Sequence, residues 1–362
     1  MLSQPEFRNQ RCTRYRYRYD KCQLCSDACP HGAVALSDEG ITISPATCQN
    51  CSLCVAACPT EALVADNPPR IELLKRAVQK KAVTFACAPS QLPGDEVIPC
   101  LGTLDAVMLA FLASRGVAVS LAGTQHCAQC PHGARGKDRL DRHLEATALL
   151  RETVGLDQWA SITLLSDAPD ATQNNVDHNP ARRHLFRRFI GRNMDQLGYA
   201  AADQPPVPLK AIRIAAPVSS EGRELLQHLF DIQPDKQSTL AAHSAIHAAR
   251  LLMEPGCTAC EACVRVCPTG ALQIRESTAA WELVFRFPRC VGCGACLEVC
   301  QPRVLRYQEE MESLSKAPAP ILLHALNKQR CSRCERFFIS PAPQEVCQIC
   351  QGDDEDFGAI FG

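Results

Sequence analysis

Aromatic residues are scarce in this 362-residue chain: 12 Phe, 5 Tyr and 2 Trp amount to 5% of it. Aromatic packing is therefore not what its cores depend on. Net charge is nearly missing too, since 38 Lys+Arg against 39 Asp+Glu leave a formal −1, which argues against bulk attachment to nucleic acid or an anionic membrane surface. No run of 18 apolar residues occurs, so no segment reads as a membrane span. The opening MLSQPEFRNQRCTRYRYRYDKC has no apolar stretch behind its arginines and no twin-arginine pair, and it fits neither a secretory nor an export signal. The expected location is the cytoplasm.

Signatures of common catalytic sites are missing as well. HGARGKD (132–138) lacks the spacing and the hydroxyl of a phosphate-binding loop, and no G-x-G-x-x-G opens a helix after a strand. No C-x-x-C-H occurs, which excludes covalent c-type haem. A substrate-converting centre would have to come from a partner subunit.

Cysteine is what the chain has in abundance. Its 24 cysteines fall into groups of eight (12–58), four (87–130), eight (257–300) and four (331–350), each a multiple of the four thiolates that close a zinc site or an iron–sulfur cluster. In a reducing compartment such a pattern holds metal rather than disulfides. At this length the chain is expected to form several domains with hydrophobic cores of their own.

Cys257, Cys260, Cys263 and Cys267, followed by Pro268, form C-x2-C-x2-C-x3-C-P, and Cys290, Cys293, Cys296 and Cys300 repeat the spacing after 22 residues, with the proline displaced to Pro302. This run resembles bacterial-type ferredoxins carrying two 4Fe-4S clusters. There three close thiolates wrap one cluster and the fourth serves the other, which assigns Cys257, Cys260, Cys263 and Cys300 to one and Cys290, Cys293, Cys296 and Cys267 to its neighbour. ALQIRESTAAWELVFRF between the motifs reads as a hairpin.

The first group is a variant. Cys48, Cys51, Cys54 and Cys58-Pro59 are regular, and Cys29 completes a cluster with the first three. Cys22, Cys25 and Cys58 are one thiolate short, because Tyr19 stands where the opening cysteine belongs. Cys12, separated from Cys22 by nine intervening residues, is the candidate; the alternatives are a free Cys12 beside a three-iron cluster, or a lost cluster. The intervening RYRYRY reads as a strand or solvated edge whose arginines can receive an acidic partner.

Cys331, Cys334, Cys347 and Cys350 give two C-x2-C knuckles separated by 12 residues, a closed four-sulfur site that suits structural zinc or mononuclear iron in a small ribbon. The acidic GDDEDF end reads as solvated.

Around the second group, KAVTF, EVIP, VAVSL and SITLL read as buried strands, alternating with helices over TLDAVMLAFLASRG and KDRLDRHLEATALLRETVG. That order predicts an open, mostly parallel α/β sheet with Cys87, Cys100, Cys127 and Cys130 at strand ends, where ligands collect. The segment VIPCLGTLDAVMLAFLASRGVAVSLAGTQHCAQCPHGARGKDRL resembles the delta subunit of methyl-viologen-reducing hydrogenase, except that this chain has Cys130-Pro131-His132 where Cys-His is usual. The resemblance implies one 2Fe-2S cluster on those four cysteines and redox partners such as a flavoprotein, a hydrogenase or a formate dehydrogenase-type subunit. Zinc or buried thiols are the alternatives, with His126 and His132 as replacement ligands or hydrogen-bond donors.

Between 167 and 255 there is no cysteine. ARRHLFRRFIGRNMDQLG reads as a basic amphipathic helix, DQPPVPLK as a stiff linker, and 240–253 as a helix. The expected architecture is an α+β and α/β multidomain chain: ferredoxin-like modules at 1–70 and 251–310, the parallel-sheet domain at 80–170, helix and linker at 171–250, and a ribbon at 325–362. The expected function is a relay of single electrons within an oxidoreductase complex. Redox sensing or maturation, or an enzyme with an open-coordinated cluster, are the competing classes.

Overall fold

The computed structural model describes residues 4–65, 69–165, 211–233, 239–312 and 319–352. The expected basic helix and stiff linker, and most of the acidic end, lie outside the described residues.

In the N-terminal module, β1 (Glu6–Phe7) pairs antiparallel with β4 (Leu63–Val64), and β2 (Val34–Ser37) with β3 (Gly40–Ile43). Its helices are single turns: α1 (Thr13–Arg16), α2 (Leu24–Asp27) and α3 (Leu53–Ala57). Gly40 turns the hairpin at φ +106°, and a Cβ there would lie 2.6 Å from the Phe7 ring, so only glycine lets β1 lie against the turn.

After α4 (Arg70–Val78), the central domain is a parallel sheet of β5 (Ala82–Cys87), β6 (Glu96–Ile98), β7 (Ala118–Ala122) and β8 (Ile162–Leu164), in the order β6-β5-β7-β8. The expected parallel α/β layout is present. Between β6 and β7 runs α5 (Ala106–Ser114), apolar all round and buried, its first turn capped by the Asp105 carboxylate accepting from Met108 N at 2.9 Å. The long α6 (Gly133–Val154) stops at Gly155, which is left-handed at φ +62°.

Downstream, α7 (Glu221–Phe230) is capped by Ser220. The helix expected over 240–253 is not formed. Instead β9 (Thr239–Ala241) pairs with β14 (Glu310–Glu312), and β10 (Leu251–Met253) with β13 (Leu305–Tyr307). Alanine's helix propensity is weak beside two available strand partners. The second cysteine-rich module contains α8 (Ala262–Val266), α9 (Ala295–Val299) and the expected hairpin, β11 (Leu272–Glu276) with β12 (Ala280–Phe285). The final hairpin, β15 (Ile321–Arg330) and β16 (Phe337–Ser340), is continuous with that module, because β15 pairs with β12 and yields a four-stranded antiparallel sheet β11-β12-β15-β16.

The parallel-sheet domain and the second module share one continuous apolar core, running from Leu73 and Phe85 through Leu229 to Phe285 and Phe287. The N-terminal module keeps a smaller one around Ile41 and Leu63. Its RYRYRY segment is not a strand, and only its end, Arg18 and Tyr19, is solvated. Arg16 ends α1 at 1% exposure, and only Tyr17 bridges to Ile212. Among the described residues no helix is long and apolar enough to cross a membrane.

Candidate metal centres

Three of the four ferredoxin-type half-motifs share a backbone device. Two residues after the first cysteine, Asn50, Ala259 and Gly292 are left-handed at φ 52°, 52° and 64°; one residue after the second, Ser52, Glu261 and Gly294 are left-handed at 61°, 59° and 80°. Successive turns of this hand bend the loop back and direct its N–H groups inward, which suits an anionic group held by the thiolates. Asn50 N and Ala259 N accordingly point at Cys48 and Cys257 Sγ, at 3.4 and 3.5 Å. The half-motif that lacks its opening cysteine departs from the pattern, with Gln23 at φ −130°.

The structure gathers the cysteines into sets of four. In the second module, Cys257, Cys260, Cys263 and Cys300 line one cavity. Burial, then the neighbouring Cys257, Cys260 and Cys300, push the Cys263 thiol up to about 12. Burial pushes Cys290 up to about 11 and Cys293 and Cys296 well upward, each also feeling Cys267; Cys296 further feels Cys263, so the two sets adjoin. Thiols held this high keep their protons until a metal displaces them, so loading these sites releases protons.

In the N-terminal module, Cys12 reaches Cys22, Cys25 and Cys58, and the four line one cavity. Burial pushes Cys12 up to about 11 and Cys25 to about 12, with Cys58 and Cys22 adding to both. Tyr19 is 63% exposed and does not take the vacant ligand position. Delivery of Cys12 depends on a 3-10 turn at Asn9–Arg11 followed by α1, which reverse the chain. The other set is Cys29, Cys48, Cys51 and Cys54: burial pushes Cys51 to about 11 and Cys54 higher still, and both feel Cys29 and Cys48. Cys54 also feels Cys25, which ties the two sets together.

Two contacts carry this arrangement across module boundaries. Cys293 of the second module stands on the wall of the Cys12 cavity. Cys51 is buried with Leu53 against Cys100 of the central domain.

The four central cysteines line a further cavity at the carboxyl edge of the parallel sheet. Cys87 ends β5, Cys100 follows β6, and Cys127 and Cys130 lie on and after the turn Thr124–Gln129 beyond β7. Gly123 opens that turn at φ +105°, and a Cβ on it would come within 2.8 Å of Cys87 Sγ. Burial, then Cys51, Cys130 and Cys87, push Cys100 up to about 12. His132 lines the cavity and its N–H faces Cys130 Sγ at 3.4 Å; His126 lies on the preceding turn.

At the C-terminus the thiols of Cys331, Cys334, Cys347 and Cys350 lie within 4.8 Å of one another, a compact four-sulfur set. The backbone N–H groups of Cys334 and Cys347 hold the Cys331 thiol below its usual range.

Several residues near these sites carry no sequence signature. Arg16 and Arg223 are buried at 1% and 2% exposure. Glu61 accepts from Ser220 Oγ (3.0 Å), Glu221 N (3.0 Å) and Gly222 N (2.9 Å), and pairs with Arg11 and Arg70. His31 lies within 4.8 Å of His132 and Cys51. Nothing in the cysteine spacing says what Glu61 binds.

Two segments, residues 18–62 and 256–304, each match the 4Fe-4S dicluster domain family; together they cover about a quarter of the chain. Both matches fall on the cysteine-rich modules, and the first begins beyond Cys12. The chain thus contains two 4Fe-4S ferredoxin-type domains on a mixed α/β framework, and iron–sulfur electron transfer is the chemistry this points to.

Proposed function

We propose that the chain is a multi-centre electron relay in which five sets of four thiolates are ordered Cys257/Cys260/Cys263/Cys300, Cys267/Cys290/Cys293/Cys296, Cys12/Cys22/Cys25/Cys58, Cys29/Cys48/Cys51/Cys54 and Cys87/Cys100/Cys127/Cys130. The observation that carries this reading is Cys293 on the wall of the Cys12 cavity, which sets the two modules centre to centre rather than back to back. Cys51 against Cys100 extends the row into the parallel-sheet domain. The first four sets fit 4Fe-4S clusters, and the central set fits the 2Fe-2S cluster implied by its resemblance to the hydrogenase delta subunit. When bound, such groups take up and release single electrons.

The protein's part is to fix the thiolates, keep water from the inner sets and direct backbone N–H groups at the sulfurs. The row ends at accessible residues. Cys260 is exposed at one end, while Cys127 and Cys130 are half-buried at the other, so partners of the flavoprotein, hydrogenase or formate dehydrogenase type would dock there. The C-terminal set suits one zinc ion in a redox-silent ribbon.

A redox-sensing or maturation role is the second reading. It is favoured by the C-terminal region, which presents Phe337 of the hairpin at 68% and Ile349, between Cys347 and Cys350, at 71% exposure for docking. Anaerobic purification with iron, sulfide and zinc analysis, then paramagnetic resonance during a redox titration, separates the two. A relay is expected to hold about sixteen to eighteen irons and one zinc, all iron centres reducing reversibly. Fewer than about eight irons in intact protein rules the relay out, and one centre lost selectively in air favours sensing.

A further inference from the structure

We propose that Arg16 and Arg223 clamp the four thiolates Cys267, Cys290, Cys293 and Cys296 from two sides, and that their charges raise the reduction potential of this centre above those of the other ferredoxin-type centres. The proposal rests on the relay reading and makes this position, where the two modules meet, the one that holds the electron longest.

Arg16 belongs to the N-terminal module but acts on the second. Its Nε donates to Gln10 O at 2.6 Å, Nη2 to Ala216 O at 2.7 Å, and Nη1 to the carbonyl of Cys267, itself one of the four cysteines, at 3.3 Å. Arg223 comes from α7. Its Nη2 donates to Phe287 O at 2.8 Å, its guanidinium lies 4.7 Å from the Phe287 ring centre, and its Nε is buried without a partner. Neither arginine makes an ion pair with a carboxylate among the described residues.

A buried guanidinium without a counter-ion is costly, and the fold keeps two of them. Phe287 O, which accepts from Arg223, also accepts from Cys290 N at 2.9 Å, and the negative charges felt are those of Cys267 and Cys293 at Arg16 and of Cys290 at Arg223. The counter-ion of both is therefore the thiolate set. A four-thiolate iron–sulfur centre is anionic and gains a further negative charge on reduction, so nearby cations in a low-dielectric site favour its reduced form. Burial of Cys290 and Cys296 works the other way, and the two arginines offset it.

Among the described residues the other sets lack this arrangement. Arg14, which donates to Cys22 O, and Arg135, which donates to Asp27 O and Cys29 O, are reached by solvent and screened. Arg139, near Cys100, shares its charge with Asp105. Asp20, whose Oδ1 accepts from Thr13 Oγ1 and Cys22 N, both at 2.9 Å, opposes the clamp at Cys293 with one negative charge against two guanidinium groups.

The test is a redox titration followed by paramagnetic resonance on the full-length, cluster-loaded protein, with Cys290→Ser used to assign the signal of this centre. In Arg16→Gln and Arg223→Gln the assigned midpoint is expected to move to lower potential, further in the double variant, while the remaining midpoints stay in place at unchanged iron content. Arg16→Lys and Arg223→Lys keep the charge and should leave the midpoint near its original value. An unmoved midpoint in both Gln variants overturns the proposal, as does a Lys variant that falls as far as its Gln counterpart. Because the wild-type protein is titrated alongside, missing or irreversible centres there defeat the relay reading itself, whereas reversible centres indifferent to Arg16 and Arg223 defeat only the clamp.

Discussion

His31 Nε2 and His132 Nδ1 lie 3.1 Å apart, joining the N-terminal module to the residue that precedes α6 in the parallel-sheet domain. One nitrogen must donate and the other accept, so the pair holds a single proton between them. Burial, then the charge of His31, pushes His132 down to about 4, and burial lowers His31 too. The same face of α6 grips the module with Arg135, on the carbonyls of Asp27 and Cys29, and with Arg139, on Ala56 O at 2.6 Å. These bonds press Cys51 against Cys100 and bring two otherwise separate cysteine sets together.

Replacing Cys12 by Ser should change the resonance of one iron centre and leave the others as they are, because Cys12 completes a set with Cys22, Cys25 and Cys58, while Cys293, on the same cavity wall, belongs to the neighbouring set. An iron count and a spectrum of the reduced protein check this. Identical spectra would remove Cys12 from the ligands. Tyr19→Phe, at a 63% exposed position, should have no effect on either measurement.

Substituting Glu61 by Ala should lower stability by about 2 kcal/mol, since it strips the acceptor from Ser220 Oγ and two backbone N–H groups and leaves Arg11 and Arg70 without their partner. Glu61→Gln should lose less, because one oxygen still accepts. Denaturant unfolding of the two variants beside the parent checks the ranking.

Stability should fall in mild acid. An unfolded histidine takes up a proton near pH 6.5, but burial, aided by Arg139, pushes His143 down to about 3, and burial pushes His247 down to about 4 against the pull of Asp105. Between those values the unfolded chain binds more protons than the folded one, so stability is level above about pH 7 and drops as pH falls from about 6.5 towards 4. Asp105 adds a loss below the ordinary carboxylate range, because Arg70, 2.8 Å away, holds it charged in the fold despite its burial. Thermal melts from pH 8 to pH 4 on parent and His143→Gln protein check this; the variant should show a shallower decline.

Chelating the zinc proposed for the C-terminal set, or replacing Cys334 by Ser, should unfold β16 and the two knuckles without disturbing the iron centres. Amide hydrogen exchange should accelerate in 331–350 while β12, which keeps β11 on its other side, stays protected. Exchange that accelerates equally through 272–285 would mean the second module depends on that metal.

The spacing of Cys257 through Cys300 made the second module legible, because cluster-binding loops need thiolates at fixed short intervals and that requirement is written into sequence. The parallel sheet was legible from its strands, although the SITLL strand, expected buried, forms an edge that leaves Thr163 and Leu164 exposed, and the placement of Cys87, Cys100, Cys127 and Cys130 at strand ends followed from the topology. Cys12 was foreseen only by counting ligands. Arg16 was misread, since an alternating RYRYRY cannot announce that segment 211–216 will cover one of its arginines. The 240–253 segment was also misread: what decides it is the presence of strands 305–307 and 310–312 beside it, far along the chain. Arg223 and Glu61 act through contacts between modules, which no local pattern encodes.

The stretch from Ala211 to Val218 belongs to neither cysteine-rich module, yet it touches both. Ala211 O accepts from Arg18 N, Arg213 N donates to Arg16 O, Ala216 O accepts from Arg16, and Val218 N donates to Pro268 O. It acts as a splint laid along the seam. Cutting the protein into its two ferredoxin-type pieces would discard that splint, and the mixed fragments would lose the alignment that the intact polypeptide imposes on them.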